Sequence, residues 1–255
     1  MVRIGAIGDL HYGRESRGAL KLVLQAVEDS RPDVLLLLGD LTDYGTLEEA
    51  QALTRELVAG IKVPMLAVLG NHDFEANAAE RVRDALREGG IVVLDGDSCE
   101  VKGVGFAGVK GFCGGFGRGA LGPWGEEVVK RFVQEAVQEA LKLESALARL
   151  RTSARIVLLH YAPIAATVAG EPPEIYPFLG SSRLEEPLNR LGVTAVFHGH
   201  AHKGALEGRT SAGAPVYNVS LPLLMRLSPA RPIRILEMPV GSAERVGQEG
   251  PLALE

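Results

Sequence analysis

The eleven residues Asp33–Asp43, DVLLLLGDLTD, set the reading of this chain. Five consecutive apolar residues without alternation fit a strand covered on both faces, and Gly39-Asp40 ends it with a turn. The same phrase recurs. Val2–Gly8 is apolar and stops at Asp9, and Val63–Gly70 (VPMLAVLG) stops at Asn71-His72-Asp73. Arg155–Leu159 stops at His160, and Val193–Phe197 stops at His198-Gly199-His200-Ala201-His202.

Between these runs the apolar spacing changes to three and four, which predicts helices over about 16–30, 47–60, 76–88 and 126–151. Buried strands alternating with helices give an α/β chain. In open α/β sheets the carboxyl ends of the strands share one edge, where ligands bind. Polar clusters far apart in sequence are thereby expected to converge.

Working outward, Ile91–Leu94, Glu100–Lys102 and Val104–Val109 read as strands. So do the stretches near Ala205–Arg209, Pro215–Val219 and Ile233–Met238. Ser182-Arg183-Leu184-Glu185 fits a capping box opening a short helix. Residues 1–240 read as one domain, and 241–255, without periodicity, are expected to form a mobile tail. Gly111–Gly125 (GFCGGFGRGALGPWG) holds seven glycines and must be a loop. Its reading stays open between a lid and a connector; Phe112, Phe116, Arg118 and Trp124 are the side chains that would touch substrate. Tyr161–Gly180 is the other candidate for substrate contacts, with Tyr161 and Tyr176 as probes.

The totals exclude several classes. The net charge of −5 and the lack of a long basic run argue against duplex nucleic acid or an anionic membrane as the main partner. No uninterrupted apolar stretch reaches the roughly 18 residues that would suggest a membrane span. Cys99 and Cys113 have no metal-binding spacing and are expected as reduced thiols, so the expected setting is cytoplasmic. Two G-x-G-x-x-G matches, at 103–108 and 117–122, lack the strand–helix context and the ribose-binding acid of a dinucleotide site. Neither a P-loop nor a G-x-S-x-G occurs.

Carboxylate, amide and imidazole donors without thiolate suit borderline divalent cations such as manganese, iron, zinc or cobalt. Five of the six histidines sit in the strand-end clusters, and His198 adjoins one. A single strand-end histidine is more often a packed residue, and a lone Asp9 or Asp40 a cap. Taken together they read as a metal site.

The ordered set D-x-H (9–11), G-D-x-x-D (39–43), G-N-H-D (70–73), His160 and G-H-x-H (199–202) resembles the calcineurin-like metallophosphoesterase superfamily. The resemblance spans residues 2–202 with every block in order. It implies a four-layer αββα sandwich: two mixed β-sheets flanked by helices. It implies one metal held by Asp9, His11, Asp40 and His202, and a second held by Asp40, Asn71, His160 and His200, with Asp40 shared. A hydroxide bridging the two ions would attack phosphorus in line. His72 would contact the phosphate or protonate the leaving oxygen, with Asp73 orienting its ring. Asp43 would only cap a turn, and His198 would be a packed histidine beside the ligands. The expected substrate is a small phosphorylated molecule, a mono- or diester. The competing reading is an inactive scaffold that kept the fold. Homo-oligomerisation is not readable.

Overall fold

Where the sequence runs apolar without a break, the chain forms buried strands. A computed structural model of the protein describes residues 1–13 and 17–239. The expected tail at 241–255 lies outside the described residues. The strands are β1 (Val2–Ile7), β2 (Val34–Leu38), β3 (Met65–Val68), β4 (Val92–Val93), β5 (Asp97–Val101), β6 (Val104–Gly108), β7 (Arg155–Leu158), β8 (Ala195–His198), β9 (Glu207–Arg209), β10 (Pro215–Asn218) and β11 (Arg234–Met238). The helices are α1 (Arg17–Ser30), α2 (Leu47–Gly60), α3 (Ala79–Glu88), α4 (Glu127–Arg149), α5 (Tyr176–Leu179), α6 (Glu185–Leu191) and α7 (Leu221–Leu227).

The first sheet runs β11-β1-β2-β3-β4, parallel except for β11. The second runs β5-β6-β7-β8-β10-β9, parallel in its four middle strands and antiparallel at both edges. Both sheets are therefore mixed, and the expected αββα sandwich is what forms. Alternation shows how the layers lie. Phe106, Ile156, Leu158 and Phe197 pack with first-sheet residues in the main core. Their neighbours Ala107, Val157 and Val196 pack instead with Leu143, Ala146 and Leu147 of α4 and Leu188 of α6. The first sheet is covered on its other side by α1, α2 and α3, through residues such as Val23, Leu53 and Val82. All five residues of β2 are buried, so its continuous apolar run is matched by apolar cover on both faces.

Several details differ from the sequence reading. β5 covers Asp97–Val101 rather than 100–102; its polar composition belongs to an edge strand whose side chains are mostly not buried. α7 was not expected as a helix: Pro222 lies in its first turn, where a missing N–H costs nothing, and Leu221, Leu223 and Leu224 are buried. The capping side chain is Ser181, not Ser182, and it caps the 3₁₀ turn Ser182–Leu184 that leads into α6, its hydroxyl accepting from Arg183 N–H; α6 itself starts without a side-chain cap. Ser182 Oγ accepts from Gly117 N–H instead.

The glycine-rich loop is not loose at its root. Gly114 N–H donates to Pro177 O at 2.7 Å and Gly115 N–H to Gly180 O at 2.9 Å, and Ser182 N–H returns a bond to Gly115 O at 3.1 Å. This lacing joins 111–125 to the loop that follows His160. Among the described residues no helix is long and apolar enough to cross a membrane.

Candidate metal centre

The chain leaves β1 at Asp9, β2 at Asp40, β3 at Asn71, β7 at His160 and β8 at His200, and these five exits meet. Four of the residues concerned have left-handed backbones: Asp9 (φ 57°), His11 (φ 42°), Asp40 (φ 46°) and His200 (φ 69°). Outside glycine this conformation costs on the order of 1–2 kcal/mol per residue, and such strain gathers at functional sites. Hydrogen bonds between the first two exits hold it in place, from Asp9 N–H to Gly39 O and from His11 N–H to Asp40 O, each 2.9 Å. His200 N–H donates to both carboxylate oxygens of Asp9, at 3.0 and 2.9 Å, which joins the two sheets at the site.

Three sets of side chains place their ligand atoms within 4.8 Å of one another: Asp9, His11 and His202; His11, Asp40 and His72; and Asp40, His160 and His200. His202 Nε2 stands 3.1 Å from Asp9 Oδ1, and His160 Nε2 stands 3.4 Å from Asp40 Oδ1. Asp40 belongs to two of the sets, between the histidines of the first sheet and those of the second.

The donor chemistry fits a cation. His160 Nδ1 faces the carbonyl of Leu38 at 3.0 Å, an acceptor only, so that nitrogen carries the proton. Burial lowers the His160 pKa and keeps the ring neutral, which leaves a lone pair on Nε2. That lone pair points at the amide oxygen of Asn71, 2.9 Å away, with Asp40 Oδ1 beside it. His160 Nε2, Asn71 Oδ1 and Asp40 Oδ1, which also accepts from His72 N–H at 2.8 Å, thus converge, an arrangement that a divalent ion would complete. His200 follows the same logic: its Nε2–H donates to Phe178 O at 3.1 Å and leaves Nδ1 free to bind. Burial, the largest cause, pushes His200 down to about 3.

Burial, then the charges of Asp9 and Asp73, push the Asp40 carboxyl up to about 7. For Asp9 burial acts upward too, but the His202 hydrogen bond, with the neighbouring imidazoles, outweighs it and holds the carboxyl at about 2. The residues alone thus hold Asp40 in a frustrated state that a nearby cation would relieve. Space is allotted as tightly as charge. A methyl group at Gly70 would overlap Asp40 N and Oδ1, and one at Gly199 would overlap Asp9 Oδ2.

His72 lies at the rim, its ring centroid 4.6 Å from that of His11. Its Nδ1–H donates to the carbonyl of Asp43 at 2.8 Å. Burial opposes its charged form, but that carbonyl and the charges of Asp40, Glu75 and Asp43 raise its pKa above the usual value. The ring is therefore oriented by Asp43, not by Asp73 as the sequence reading expected. Asp73 is fully buried, and its carboxylate accepts from Gly70 N–H, Leu41 N–H, Thr42 N–H and the Thr42 hydroxyl. It ties the Asp40 turn to the Asn71 turn.

His198 points away from the set. Its Nδ1–H donates to Gly199 O and its Nε2 accepts from the Thr167 hydroxyl at 2.8 Å, and burial pushes its pKa down to about 4. The left-handed turn at His200 breaks the alternation that would have put all three histidines on one face. Tyr161 is brought in, with its ring centroid 4.6 Å from that of His200 and 5.4 Å from that of His160. Arg118 sits exposed on the turn Gly117–Gly119, and no hydrogen bond or ion pair among the described residues joins it to the cluster.

Three carbonyls that fix imidazole orientation, on Leu38, Asp43 and Phe178, leave no trace in the sequence. Lys110 was overlooked although it had the same signal as the others: β6 also ends at a polar residue on this edge. Its carbonyl accepts from His160 N–H at 3.0 Å and Tyr161 N–H at 3.1 Å. Burial lowers the pKa of its ammonium.

Comparison with known proteins agrees with this geometry. The sequence profile described as calcineurin-like phosphoesterase matches residues 2–204. Among solved structures, a phosphopantetheinyl hydrolase from Mycobacterium tuberculosis is similar, with a TM-score of 0.69 at 15% identity over 91% of this chain and 95% of that one. The protein TT1561 of Thermus thermophilus gives 0.56 at 17% identity, over 92% and 97%. A 5'-nucleotidase-type protein from Staphylococcus aureus, crystallised with alpha-ketoglutarate, gives 0.53 at 15%, over 85% of this chain and 48% of its own. At these identities the likeness is one of fold. No curated protein sequence matches.

Proposed function

This chain belongs to the calcineurin-like phosphoesterase family, and on that premise we propose that it hydrolyses small phosphate esters using two divalent cations. Asp9, His11, Asp40 and His202 would hold one, and Asp40, Asn71, His160 and His200 would hold the other, with Asp40 shared. The observation that carries this is the convergence of three lone pairs at His160 Nε2, Asn71 Oδ1 and Asp40 Oδ1, with Asp40 also in the set that contains His11 and His72. The donors suit manganese, iron, zinc or cobalt. When bound, such ions polarise phosphoryl oxygens and make water acidic enough to act as a nucleophile near neutral pH.

The remaining work falls to side chains. Asn71 ligates through a neutral oxygen and adds no charge to repel an incoming phosphate. Asp40, shared by both sets, would supply negative charge to either ion. His72, with Nδ1–H held on Asp43 O, presents Nε2–H to solvent-facing substrate. As water attacks phosphorus in line, the bond to the leaving oxygen breaks and His72 Nε2 supplies the proton that oxygen needs. No covalent phospho-enzyme forms, because the attacking group is water.

All seven ligand positions and His72 are filled, which argues against a scaffold that lost catalysis. The test is a screen of phosphate mono- and diesters with purified protein, stripped of metal and reloaded with manganese. Hydrolysis that disappears with a chelator and returns with manganese is the expected result. Metal-independent hydrolysis, or none with any cation across both ester classes, would sink the proposal.

A further inference from the structure

Lys110 stands in an unusual place for an ammonium. Its Nζ lies 4.9 Å from the ring centre of Phe112, 5.3 Å from Tyr161 and 5.5 Å from Phe74. Two of these walls are rooted in the candidate site: Tyr161 follows His160, and Phe74 comes two residues after His72. The Tyr161 ring that neighbours the ammonium also neighbours the His200 ring, with centroids 4.6 Å apart. Lys110 and His200 thus share Tyr161 as a neighbour.

Its charge is poorly matched by the protein. One N–H donates to Gly111 O at 2.8 Å. Among the described residues no carboxylate oxygen comes within ion-pair distance. The charges of Glu139 and Glu135 act on it only from beyond ion-pair distance, and the Glu139 oxygens already accept from Gly111 N–H at 2.8 Å and Lys142 Nζ at 2.7 Å. A lysine used only to cover apolar surface would extend its head into water. Here the head is held over three ring faces, where cation–π attraction holds it without neutralising it. A largely buried ammonium with spare donors beside an ester-cleaving centre is complementary to an anion that the protein does not provide.

We propose that Lys110 is a specificity-determining residue that binds a second anionic group of the substrate, beyond the phosphate being cleaved. The preferred substrate class is then a phosphate ester bearing another phosphate or carboxylate close to the scissile bond. This rests on the phosphoesterase reading and adds to it the identity of the group recognised.

The test compares inorganic phosphate with imidodiphosphate, a diphosphate mimic that resists hydrolysis, by calorimetric titration of the manganese-loaded protein. Wild type is expected to bind imidodiphosphate more tightly than phosphate. Lys110→Met should weaken imidodiphosphate by about tenfold or more, the scale of one hydrogen bond to a charged group, and phosphate much less. Lys110→Arg should retain most of the preference, and Lys110→Gln, which keeps a donor without charge, should lose it. If Met unfolds the protein, Gln and Arg still decide the matter. Equal weakening of both anions, or no change in either, overturns the proposal. Either result leaves the phosphoesterase reading standing so long as nitrophenyl phosphate or diester hydrolysis still depends on manganese; loss of that dependence in wild type overturns the broader reading instead.

Discussion

Asp73 accepts two hydrogen bonds from Thr42, one from the amide at 2.8 Å and one from the hydroxyl at 2.6 Å. With the amides of Leu41 and Gly70 also on its oxygens, the carboxylate joins the exits of β2 and β3. Asp73→Asn puts an NH₂ group where one carboxylate oxygen accepted two hydrogen bonds, from Leu41 and Gly70 N–H on one side or from the Thr42 amide and hydroxyl on the other. The expected loss is about 2–4 kcal/mol, the range for breaking a buried charge-assisted network, read from urea unfolding of the metal-free protein. Because Asp40 and Asn71 lose their common anchor, metal affinity should fall as well. A variant that unfolds like wild type, but slows only on substrates with poor leaving groups, would return Asp73 to the role of orienting His72.

His72 carries the opposite expectation. His72→Ala should retain metal content and slow turnover by about 10²–10⁴-fold on esters with basic leaving groups, the usual range for a general acid. Nitrophenyl esters, whose leaving oxygen needs little protonation, should suffer much less. Losses of the same size across the leaving-group series would assign His72 to phosphate positioning.

Asp40 should separate stability from function. Burial and the charges of Asp9 and Asp73 disfavour its ionised form, so Asp40→Asn removes an unfavourable charge from the metal-free protein. That protein should melt at a higher temperature than metal-free wild type. On adding manganese the order should reverse, since bound metal stabilises wild type by mass action and the variant has lost the shared ligand. Unchanged metal stoichiometry, or full activity, in Asp40→Asn would remove Asp40 from its proposed position between the ions.

The convergence was legible because strand and polar residue come in one phrase: β1 to Asp9, β2 to Asp40, β3 to Asn71, β7 to His160, β8 to His200. An unbroken apolar run reports burial on both faces, and the polar residue after it marks the shared sheet edge. β5 was harder to bound, since an edge strand such as Asp97–Val101 has little to bury. α7 was missed because Pro222 reads as a breaker until its first-turn position is known. The carbonyls of Leu38, Asp43 and Phe178 could not be read at all. Every residue has a carbonyl, and only the fold decides which one meets an imidazole.

Glycine positions test how tightly the site is built. Gly70→Ala brings a methyl group onto Asp40, and Gly199→Ala brings one onto Asp9. Each should weaken manganese binding at least tenfold while far-ultraviolet dichroism stays that of the wild type. Gly119→Ala, with open space around it and no left-handed backbone, is the control and should do neither. Wild-type metal affinity in both site variants would mean that the carboxylates have room the structure does not give them.

The last expectation concerns whether the glycine-rich loop opens alone. Gly114 and Gly115 donate to Pro177 and Gly180, Ser182 donates back to Gly115, and Leu121 N–H closes the turn onto Gly114 O at 2.7 Å. Arg183 adds a bond to Leu121 O at 3.0 Å. Breaking one of these bonds strains its neighbours, so 114–121 and 177–183 should open as a unit. In hydrogen exchange, the amides of Gly114, Gly115, Leu121 and Ser182 should share one opening free energy. The unit also touches the centre, through Phe178 O and His200 Nε2–H. A cation on Nδ1 makes that ring a stronger donor and fixes its orientation. Adding manganese should therefore slow exchange at all four amides together. If Gly114, Gly115 and Leu121 exchange freely while Ser182 stays protected, the glycine-rich segment is an independent lid. Arg118, exposed on its outer turn, would then be the residue to test against substrate by Arg118→Ala.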